Sequence, residues 1–173
     1  MEFWDVYDKN RKPKGYKIMR GGDRRLGKGE YHLTCHVCLF STDGKMLIQR
    51  RALGKYHSGG LWANACCSHP RWGETLGDAV QKRMEEELGI PKGSCIPKDL
   101  FSFNYFSQYD GLSEYEIDHV FLTDYHGEIK VDPDEIMEFR WVALEDLKKE
   151  MESQPQKFST WFLIAAPRVM ESL

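Results

Sequence analysis

The chain has 173 residues, of which 41% are hydrophobic and 29% charged, and its formal net charge is -3. This length suits one domain with a real core, and the acidic balance argues against a general nucleic-acid binder. No apolar run is long enough to span a bilayer, and five cysteines, an odd number, argue against a secreted disulfide framework. We therefore expect a cytoplasmic monomer without nucleic-acid or membrane partners, which meets any anionic substrate through a local basic patch or a metal ion.

Short strands and turns are predicted in the first part of the chain. Trp4 to Tyr7 predicts a strand, Lys9 to Gly15 a polar turn, and Gly21 to Gly29 a mobile glycine-rich loop. Residues 32–40 alternate between two faces with the period of a strand. Asp43-Gly44 then predicts a hairpin turn into a returning strand at residues 46–49.

Helices and further strands are predicted in the second part. Thr75, with Asp78 three residues later, predicts the start of a helix that Gly89 ends. Strands are predicted at residues 101–107, 115–124 and 139–142, and helices at residues 144–151 and 160–171. Much of the core is expected from Leu76, Val80, Met84, Val120, Phe121 and Trp141. The mixture predicts an α/β (α+β) fold, such as a three-layer α/β/α sandwich.

One stretch of the chain carries an unusual set of reactive groups. Cys66-Cys67-Ser68-His69-Pro70 is followed by a predicted helix that carries Arg83 and Glu87. A thiol, an imidazole, a cation and carboxylates so close together suit a metal-bound anionic substrate with proton transfer beside it. The alternative for the helix alone is a solvated face on which Arg83 and Glu87, four residues apart, form a weak ion pair.

A second polar cluster lies far from the first in sequence. Glu114 and Glu116 point to the same face of a predicted strand, where two like charges repel unless a cation lies between them. Carboxylate and imidazole ligands suit Mn²⁺, Mg²⁺ or Zn²⁺, although an acidic strand edge is an equal alternative. Cys35 and Cys38 form a C-x-x-C, but residues three apart on a strand point to opposite faces and chelate poorly.

Basic and aromatic residues complete the candidate site. Arg51 and Lys55 follow a strand, together with Arg50, and suit a diphosphate, with a solvated hairpin end as the alternative. Trp161 at the start of the last helix is expected to be a core residue in the first instance.

The motifs occur together, in order, and are specific as a set. They are Gln49-Arg50-Arg51-Ala52-Leu53, Gly60-Leu61-Trp62, Cys67-Ser68-His69-Pro70, Gly73-Glu74, Asp78-Ala79-Val80, Arg83, Glu87-Leu88-Gly89, Glu114-x-Glu116, Asp134-Glu135 and Phe158-Ser159-x-Trp161. As a set they resemble the type 1 isopentenyl-diphosphate isomerase family of the Nudix-like superfamily. The resemblance implies a Nudix-like sandwich with a mixed sheet, and one domain over residues 1–173. Residues 32–161 match the family, and residues 1–31 diverge from it.

The resemblance also implies an activity and a set of site residues. The family interconverts isopentenyl and dimethylallyl diphosphate, in isoprenoid biosynthesis, by protonating an alkene to a tertiary carbocation and removing a neighbouring proton. Cys67 and Glu116 match its catalytic pair. The remaining matches are metal ligands at His32, His69, Glu114 and Glu116, a ligand of diphosphate-bound Mg²⁺ at Glu87, diphosphate contacts at Arg51, Lys55 and Arg83, an aromatic facing the cation at Trp161, and a tyrosine near the glutamate at Tyr105.

The first thirty residues depart from the family pattern. The family has a further metal-binding histidine about seven residues before the match of His32, but this chain has Arg25 there. Asp23 is the candidate replacement ligand, and Arg20 the candidate for an early diphosphate-binding lysine. The second divalent ion is therefore expected to be Mn²⁺, Mg²⁺ or Zn²⁺, with an altered ligand set.

Two other functions are compatible with this pattern of residues. A Nudix diphosphohydrolase would share the fold, but Ser68, Lys82 and Arg83 stand where its sequence box has Gly, Arg and Glu. The loss of that Glu removes an expected metal ligand or base. An inert module that senses a diphosphate is the third alternative, and the presence of both Cys67 and Glu116 argues against it.

Overall fold

A computed structural model describes residues 3–19, 30–55, 57–109 and 112–173. The strands in this part of the chain are β1 (Phe3–Tyr7), β2 (Pro13–Met19), β3 (His32–Phe40), β4 (Met46–Arg51), β5 (Trp62–Ala63), β6 (Cys66–Ser68), β7 (Lys98–Tyr109), β8 (Leu112–Asp124) and β9 (Ile136–Val142). The helices are α1 (Leu76–Leu88), α2 (Leu144–Ser153) and α3 (Thr160–Ser172), with a 3₁₀ turn at Pro155–Lys157.

The main sheet is mixed and is centred on β3. Among the described residues seven strands join it, in the order β5-β4-β3-β8-β7, with β6 beside β3 and β9 beside β4. β3 runs parallel to β8 over its whole length and antiparallel to β6 over three residues. With helices on both faces of this sheet, the predicted α/β fold is confirmed. β3 is buried on both faces, as expected of a strand covered on each side.

Each face of the sheet carries its own hydrophobic core. One core packs α2 and α3 against the sheet and includes Cys38, Val120 and Phe162, whereas the other packs α1 against it and includes Cys35, Val80 and Met84. Cys35 and Cys38 thus lie on opposite faces, as their spacing predicted. Of the predicted core residues, Leu76 and Trp141 are only partly buried at the edge of the second core.

Helix α1 begins and ends where its capping residues predicted. The hydroxyl of Thr75 accepts a hydrogen bond from the backbone N–H of Asp78 at 3.1 Å. Gly89 ends the helix with a φ of 67°, a left-handed conformation that favours glycine, and its N–H bonds to Glu85 O. These two caps hold the helix that carries Arg83 and Glu87 at a fixed position against β6 and β3.

The N-terminal segment differs from its prediction. The turn expected over residues 9–15 is shorter, and Pro13–Met19 forms β2, which pairs antiparallel with β1. The backbone of Tyr7 exchanges two hydrogen bonds of 2.8 Å with Tyr31, so this hairpin is attached beside the start of β3. The predicted loop at residues 21–29 lies outside the described residues. In the described part of the chain no helix is long and apolar enough to cross a membrane.

Candidate active site

The strand register brings the two polar clusters of the sequence to one place. In the parallel pair β3 and β8, His32 lies beside Glu116 and Thr34 beside Asp118. On the other edge of β3, His36 pairs with Cys67 in β6. Because paired residues in adjacent strands project to the same face, these side chains gather on the face of the sheet that α3 covers. A cleft opens there with about 700 Å³ of space, including its mouth.

The cleft is lined mainly by charged and polar side chains. Its cations are Arg51, Lys55 and Arg83, and its carboxyl groups are Glu87, Glu116, Asp118 and Glu135. Its other lining residues are Thr34, Gln49, His57, Ala63, Asn64, Cys67, His69 and Trp161. These carboxyl groups offset most of the charge of the cations, so the cleft has little free positive charge with which to bind a multiply charged anion.

Two histidines and a glutamate form a candidate metal centre. Ligand atoms of His32, His69 and Glu116 all lie within 4.8 Å of one another. His32 Nε2 is 3.3 Å from Glu116 Oε1, which is close to the spacing of about 3.0–3.4 Å between neighbouring ligands of one ion at bond lengths of about 2.1 Å. Among the described residues neither ring nitrogen of the buried His32 makes a hydrogen bond, and a metal would provide a partner for one of them. The residues therefore fit a divalent ion.

The ring of His69 is oriented by a neighbour in β3. The hydroxyl of Thr34 lies 3.1 Å from His69 Nδ1, the type of contact that fixes the orientation of a ligating imidazole. The two imidazoles and the carboxylate of the centre offer mixed nitrogen and oxygen donors, which suit Mn²⁺, Mg²⁺ or Zn²⁺.

Cys67 lies in the cleft beside a buried amide. Asn64, which is 1% exposed, places its Nδ2 at 3.3 Å and its Oδ1 at 3.5 Å from Cys67 Sγ. The indole Nε1–H of Trp161 donates to the same Oδ1 at 3.1 Å. Burial raises the pKa of the Cys67 thiol well above its usual range, and the charge of Asp118 adds to the increase. The sulfur therefore carries its proton near neutral pH, as a proton donor must.

Two of the basic residues are held by carboxylates at the cleft wall. Arg83 Nε lies 3.0 Å from Glu87 Oε1 and donates to the backbone oxygen of Cys67 at 3.2 Å. Lys55 forms an ion pair with Glu135. Burial raises the pKa of Glu87, while the charge of Arg83 opposes that increase. A divalent cation beside Glu87, in addition to Arg83, would further offset the cost of its burial.

A buried histidine and aspartate lie on the same face of the sheet. His36 Nδ1 is 3.7 Å from Asp118 Oδ2, and neither side chain is more than 1% exposed. Burial lowers the pKa of His36, but its interactions with Asp118 and Cys38 outweigh this and raise it to about 10. His36 is therefore charged at neutral pH and compensates the carboxylate of Asp118.

Comparison with known proteins identifies the family. A model of the NUDIX domain matches residues 30–162. Isopentenyl-diphosphate Delta-isomerase 2 of Aromatoleum aromaticum is 40% identical over 144 residues, which are 83% of this chain and 75% of that protein. The isopentenyl-diphosphate Delta-isomerase of Pectobacterium atrosepticum is 35% identical over 165 residues, 95% of this chain and 89% of that protein. This chain belongs to the isopentenyl-diphosphate Delta-isomerase family.

Solved structures agree with the NUDIX fold of this isomerase family member. DR0079 from Deinococcus radiodurans superposes with a TM-score of 0.79 at 17% identity, covering 96% of this chain and 98% of that one. The MutT protein of Methanosarcina mazei Go1 gives a TM-score of 0.66 at 21% identity, covering 82% of this chain and 94% of that one. At these identities the likeness shows the fold alone, and the predicted Nudix-like sandwich is confirmed.

Most site residues predicted from the family resemblance meet at the cleft. Cys67, Glu116, Arg51, Lys55, Arg83, Trp161, His69 and Glu87 line it, and His32 lies in the metal cluster. Tyr105 pairs with Glu116 across β7 and β8, is 3% exposed, and packs in the core under α3. Arg20 and Asp23 lie outside the described residues, as does the side chain of Glu114. The functional roles of these residues remain predictions.

Several residues of the site were not found from the sequence. Asn64, Thr34 and Trp4 each contact a predicted site residue, but as single residues in a strand or loop they carry no pattern. Glu135 had a signal, because Asp134-Glu135 was one of the motifs of the family resemblance. Asp118 had one too, since it lies two residues after Glu116 on the same strand face.

Proposed function

We propose that this protein interconverts isopentenyl and dimethylallyl diphosphate, with Cys67 and Glu116 as the acid–base pair. The observation that carries the proposal is the position of these two groups. They come from strands on opposite edges of β3 and line one cleft, beside the His32, His69 and Glu116 cluster. The names of the curated relatives support the same reaction.

The reaction needs one proton delivered and another removed. A proton adds to the terminal carbon of the double bond, and the π electrons of the alkene form the new C–H bond, which leaves a tertiary carbocation. A base then takes a proton from the neighbouring carbon, and the electrons of that C–H bond form the new double bond. The protonated thiol of Cys67 can deliver the first proton and the carboxylate of Glu116 can remove the second. In the reverse reaction the two groups exchange these tasks, and no oxidant is required.

Trp161 is proposed to stabilise the carbocation. Its indole lines the cleft, and its position is fixed by the hydrogen bond to Asn64. Indole is the strongest π face that a protein can present to a cation. The guanidinium of Arg51 lies 5.0 Å from the ring centroid, so the indole already engages one cation at its face.

The diphosphate is proposed to bind at Arg51, Lys55 and Arg83. Lys55 and Arg83 are already paired with carboxylates, so we propose that Mg²⁺ accompanies the diphosphate at Glu87. A second divalent ion, Mn²⁺, Mg²⁺ or Zn²⁺, is assigned to His32, His69 and Glu116, with Glu114 and Asp23 as further candidate ligands. When bound there, such an ion supplies positive charge that makes a carboxyl group a stronger acid.

Hydrolysis of a diphosphate is less well supported. Arg83 stands where the Nudix hydrolase box has a glutamate, and its guanidinium occupies the side of Glu87 at 3.0 Å. An arginine in that position removes one carboxylate ligand, which weakens the metal cluster that hydrolysis needs.

The test is incubation with isopentenyl diphosphate and Mg²⁺ in D₂O, followed by proton NMR. We expect dimethylallyl diphosphate that carries deuterium. Cys67→Ala should lower the rate at least about 100-fold, the usual size of a general acid–base contribution. Cys66→Ala is the matched control, because Cys66 is buried in the core on the other face of the sheet.

The outcome is decided by two comparisons. Intact substrate without deuterium, or release of inorganic phosphate, would exclude isomerisation. Full activity of Cys67→Ala, with isomerisation present in the unmodified protein, would overturn the assignment of the acid–base pair.

A further inference from the structure

Trp4 lies against both histidines of the candidate metal centre. Its indole is stacked on His32, with ring centroids 4.3 Å apart and an interplanar angle of 23°. The same indole lies 4.9 Å from the ring of His69 at an angle of 38°. The two imidazoles are themselves 5.1 Å apart. One side chain from the N-terminal hairpin therefore packs on two proposed metal ligands that come from different strands and loops.

The position of Trp4 is fixed by the backbone around it. The oxygen of Phe3 accepts a hydrogen bond of 2.7 Å from the N–H of Trp72, in the loop that follows His69. At the other end of β1, Tyr7 is bonded to Tyr31, the residue before His32. Trp4 is 7% exposed. The strand that carries it is thus attached next to each histidine.

We propose that Trp4 is a positioning residue of the metal centre. Its indole holds the imidazoles of His32 and His69 at the angles needed to bind one ion. This inference depends on the metal site of the proposed function. The stacked indole reduces the number of ring orientations that each imidazole can adopt, so less conformational freedom is lost when a metal binds. The indole does not itself supply a ligand.

Metal binding should strengthen the stacking as well. An imidazole that donates electrons to a divalent cation becomes more positive, and a π face attracts positive charge. Coupling between two events is reciprocal, so if the metal favours the stacked arrangement, the stacked arrangement favours the metal by the same factor. The strength of cation–π contacts in proteins corresponds to about a 3- to 30-fold change in affinity.

The test measures Mn²⁺ affinity directly, by the electron paramagnetic resonance signal of free Mn²⁺ in a titration of the metal-stripped full chain. Trp4→Leu keeps an apolar side chain but removes the π face, and we expect it to weaken Mn²⁺ binding about 3- to 30-fold. Trp4→Phe keeps a π face and should stay within about 3-fold of the unmodified protein. His69→Gln identifies which part of the binding curve belongs to this centre.

Two controls separate positioning from general loss of structure. Trp72→Leu removes a neighbouring tryptophan that is 60% exposed, and it should leave Mn²⁺ affinity unchanged. Circular dichroism melts show whether each variant is folded at the temperature of the titration. If Trp4→Leu unfolds, the test is the ratio of Mn²⁺ affinities between Trp4→Phe and the unmodified protein. A loss of Mn²⁺ affinity of more than about 10-fold in Trp4→Phe would overturn a role based on the π face.

The proposal would be overturned if Trp4→Leu and the unmodified protein bound Mn²⁺ with equal affinity at the site that His69→Gln abolishes. Equal weakening in Trp4→Leu and Trp4→Phe would do the same. Because the titration contains no substrate, failure of the isomerase assay with intact, Trp4-dependent Mn²⁺ binding would count against the proposed function and leave the role of Trp4 standing.

Discussion

Replacing Asn64 by alanine should disconnect the thiol of Cys67 from the indole of Trp161. The buried amide lies between them, with Nδ2 3.3 Å from the sulfur and Oδ1 3.1 Å from the indole nitrogen. Its Nδ2 also donates to the backbone oxygens of Cys66 at 2.7 Å and Val37 at 3.2 Å. One side chain thus determines where the proposed acid and the proposed cation-stabilising ring lie relative to each other.

The size of the effect follows from these contacts. The variant removes the hydrogen bonds that the Asn64 side chain makes with the oxygens of Cys66 and Val37 and with the indole N–H of Trp161. The oxygen of Val37 keeps a second hydrogen bond, from the N–H of Ala65 at 3.1 Å. At about 1 kcal/mol for each bond, the free energy of unfolding should fall by about 3 kcal/mol. Displacement of reacting groups by about 1 Å costs about 100-fold in rate, so kcat should fall by about that factor. KM should change little, because the contacts of Asn64 do not include Arg51, Lys55 or Arg83.

The assay is a double-mutant cycle with Trp161→Phe, which keeps an aromatic face and loses the indole N–H. If Asn64 acts partly by holding the indole, the double variant should lose less activity than the sum of the two single losses, with a coupling of about 1 kcal/mol. Stability is measured by urea unfolding of all four proteins. Gln49→Ala is the matched control, because Gln49 is a buried amide in the same cleft that donates to Ala65 O at 2.9 Å.

Two results would refute this reasoning. Additive losses in the cycle would mean that Asn64 does not act through Trp161. A fall in kcat for Gln49→Ala as large as that for Asn64→Ala would mean that any buried amide in the cleft has the same effect, and that the position of Asn64 between sulfur and indole has no special role.

Two further predictions concern charge. Removal of divalent ions by a chelator should weaken binding of isopentenyl diphosphate at least about 10-fold, as measured by isothermal titration calorimetry. Lys55 and Arg83 are already paired with carboxylates, and the loss of about 1.4 kcal/mol of attraction is enough for that factor. Unchanged affinity would show that the basic residues suffice. The pKa of His36 is raised to about 10, against about 6.5 in an unfolded chain, so the stability it contributes should be complete below about pH 6.5 and lost as pH rises towards 10. Urea unfolding at several pH values, without metal, should show a steeper loss for the unmodified protein than for His36→Gln, and parallel curves would contradict the charged state of His36.

Local signals allowed the helix of the site and the first strand of the N-terminal hairpin to be predicted, but the second strand of that hairpin was missed. Thr75 and Gly89 act through contacts within a few residues, so their effects can be read from neighbours in sequence. The polar stretch from Lys9 to Gly15 predicted a turn, whereas β2 begins within it, at Pro13. The pairing of β2 with β1 and the attachment of that hairpin beside Tyr31 depend on distant contacts, which have no local pattern.

The sequence predicted the reactive residues of the site better than the residues that support them. His69, Cys67 and Glu116 carried reactive groups that pointed to them, and the structure brings them to one cleft. Asn64 and Trp4 became apparent only once β6, α3 and the N-terminal hairpin were in place, because an amide and an indole have no chemistry of their own that singles them out. Supporting residues of this kind depend on the register of strands that are far apart in sequence.

Arg83 connects helix α1 to β6, the strand that carries Cys67, and its positive charge favours isomerisation over hydrolysis. Its guanidinium engages Glu87 on its own helix and the backbone oxygen of Cys67 on β6. A glutamate at this position would add a carboxylate beside the buried Glu87, whose pKa burial already raises, and would be stable there only with more metal. An arginine instead neutralises Glu87 and holds the strand that carries the thiol. The same helix therefore supports the proposed proton donor, where the Nudix hydrolase pattern of residues would build a metal cluster.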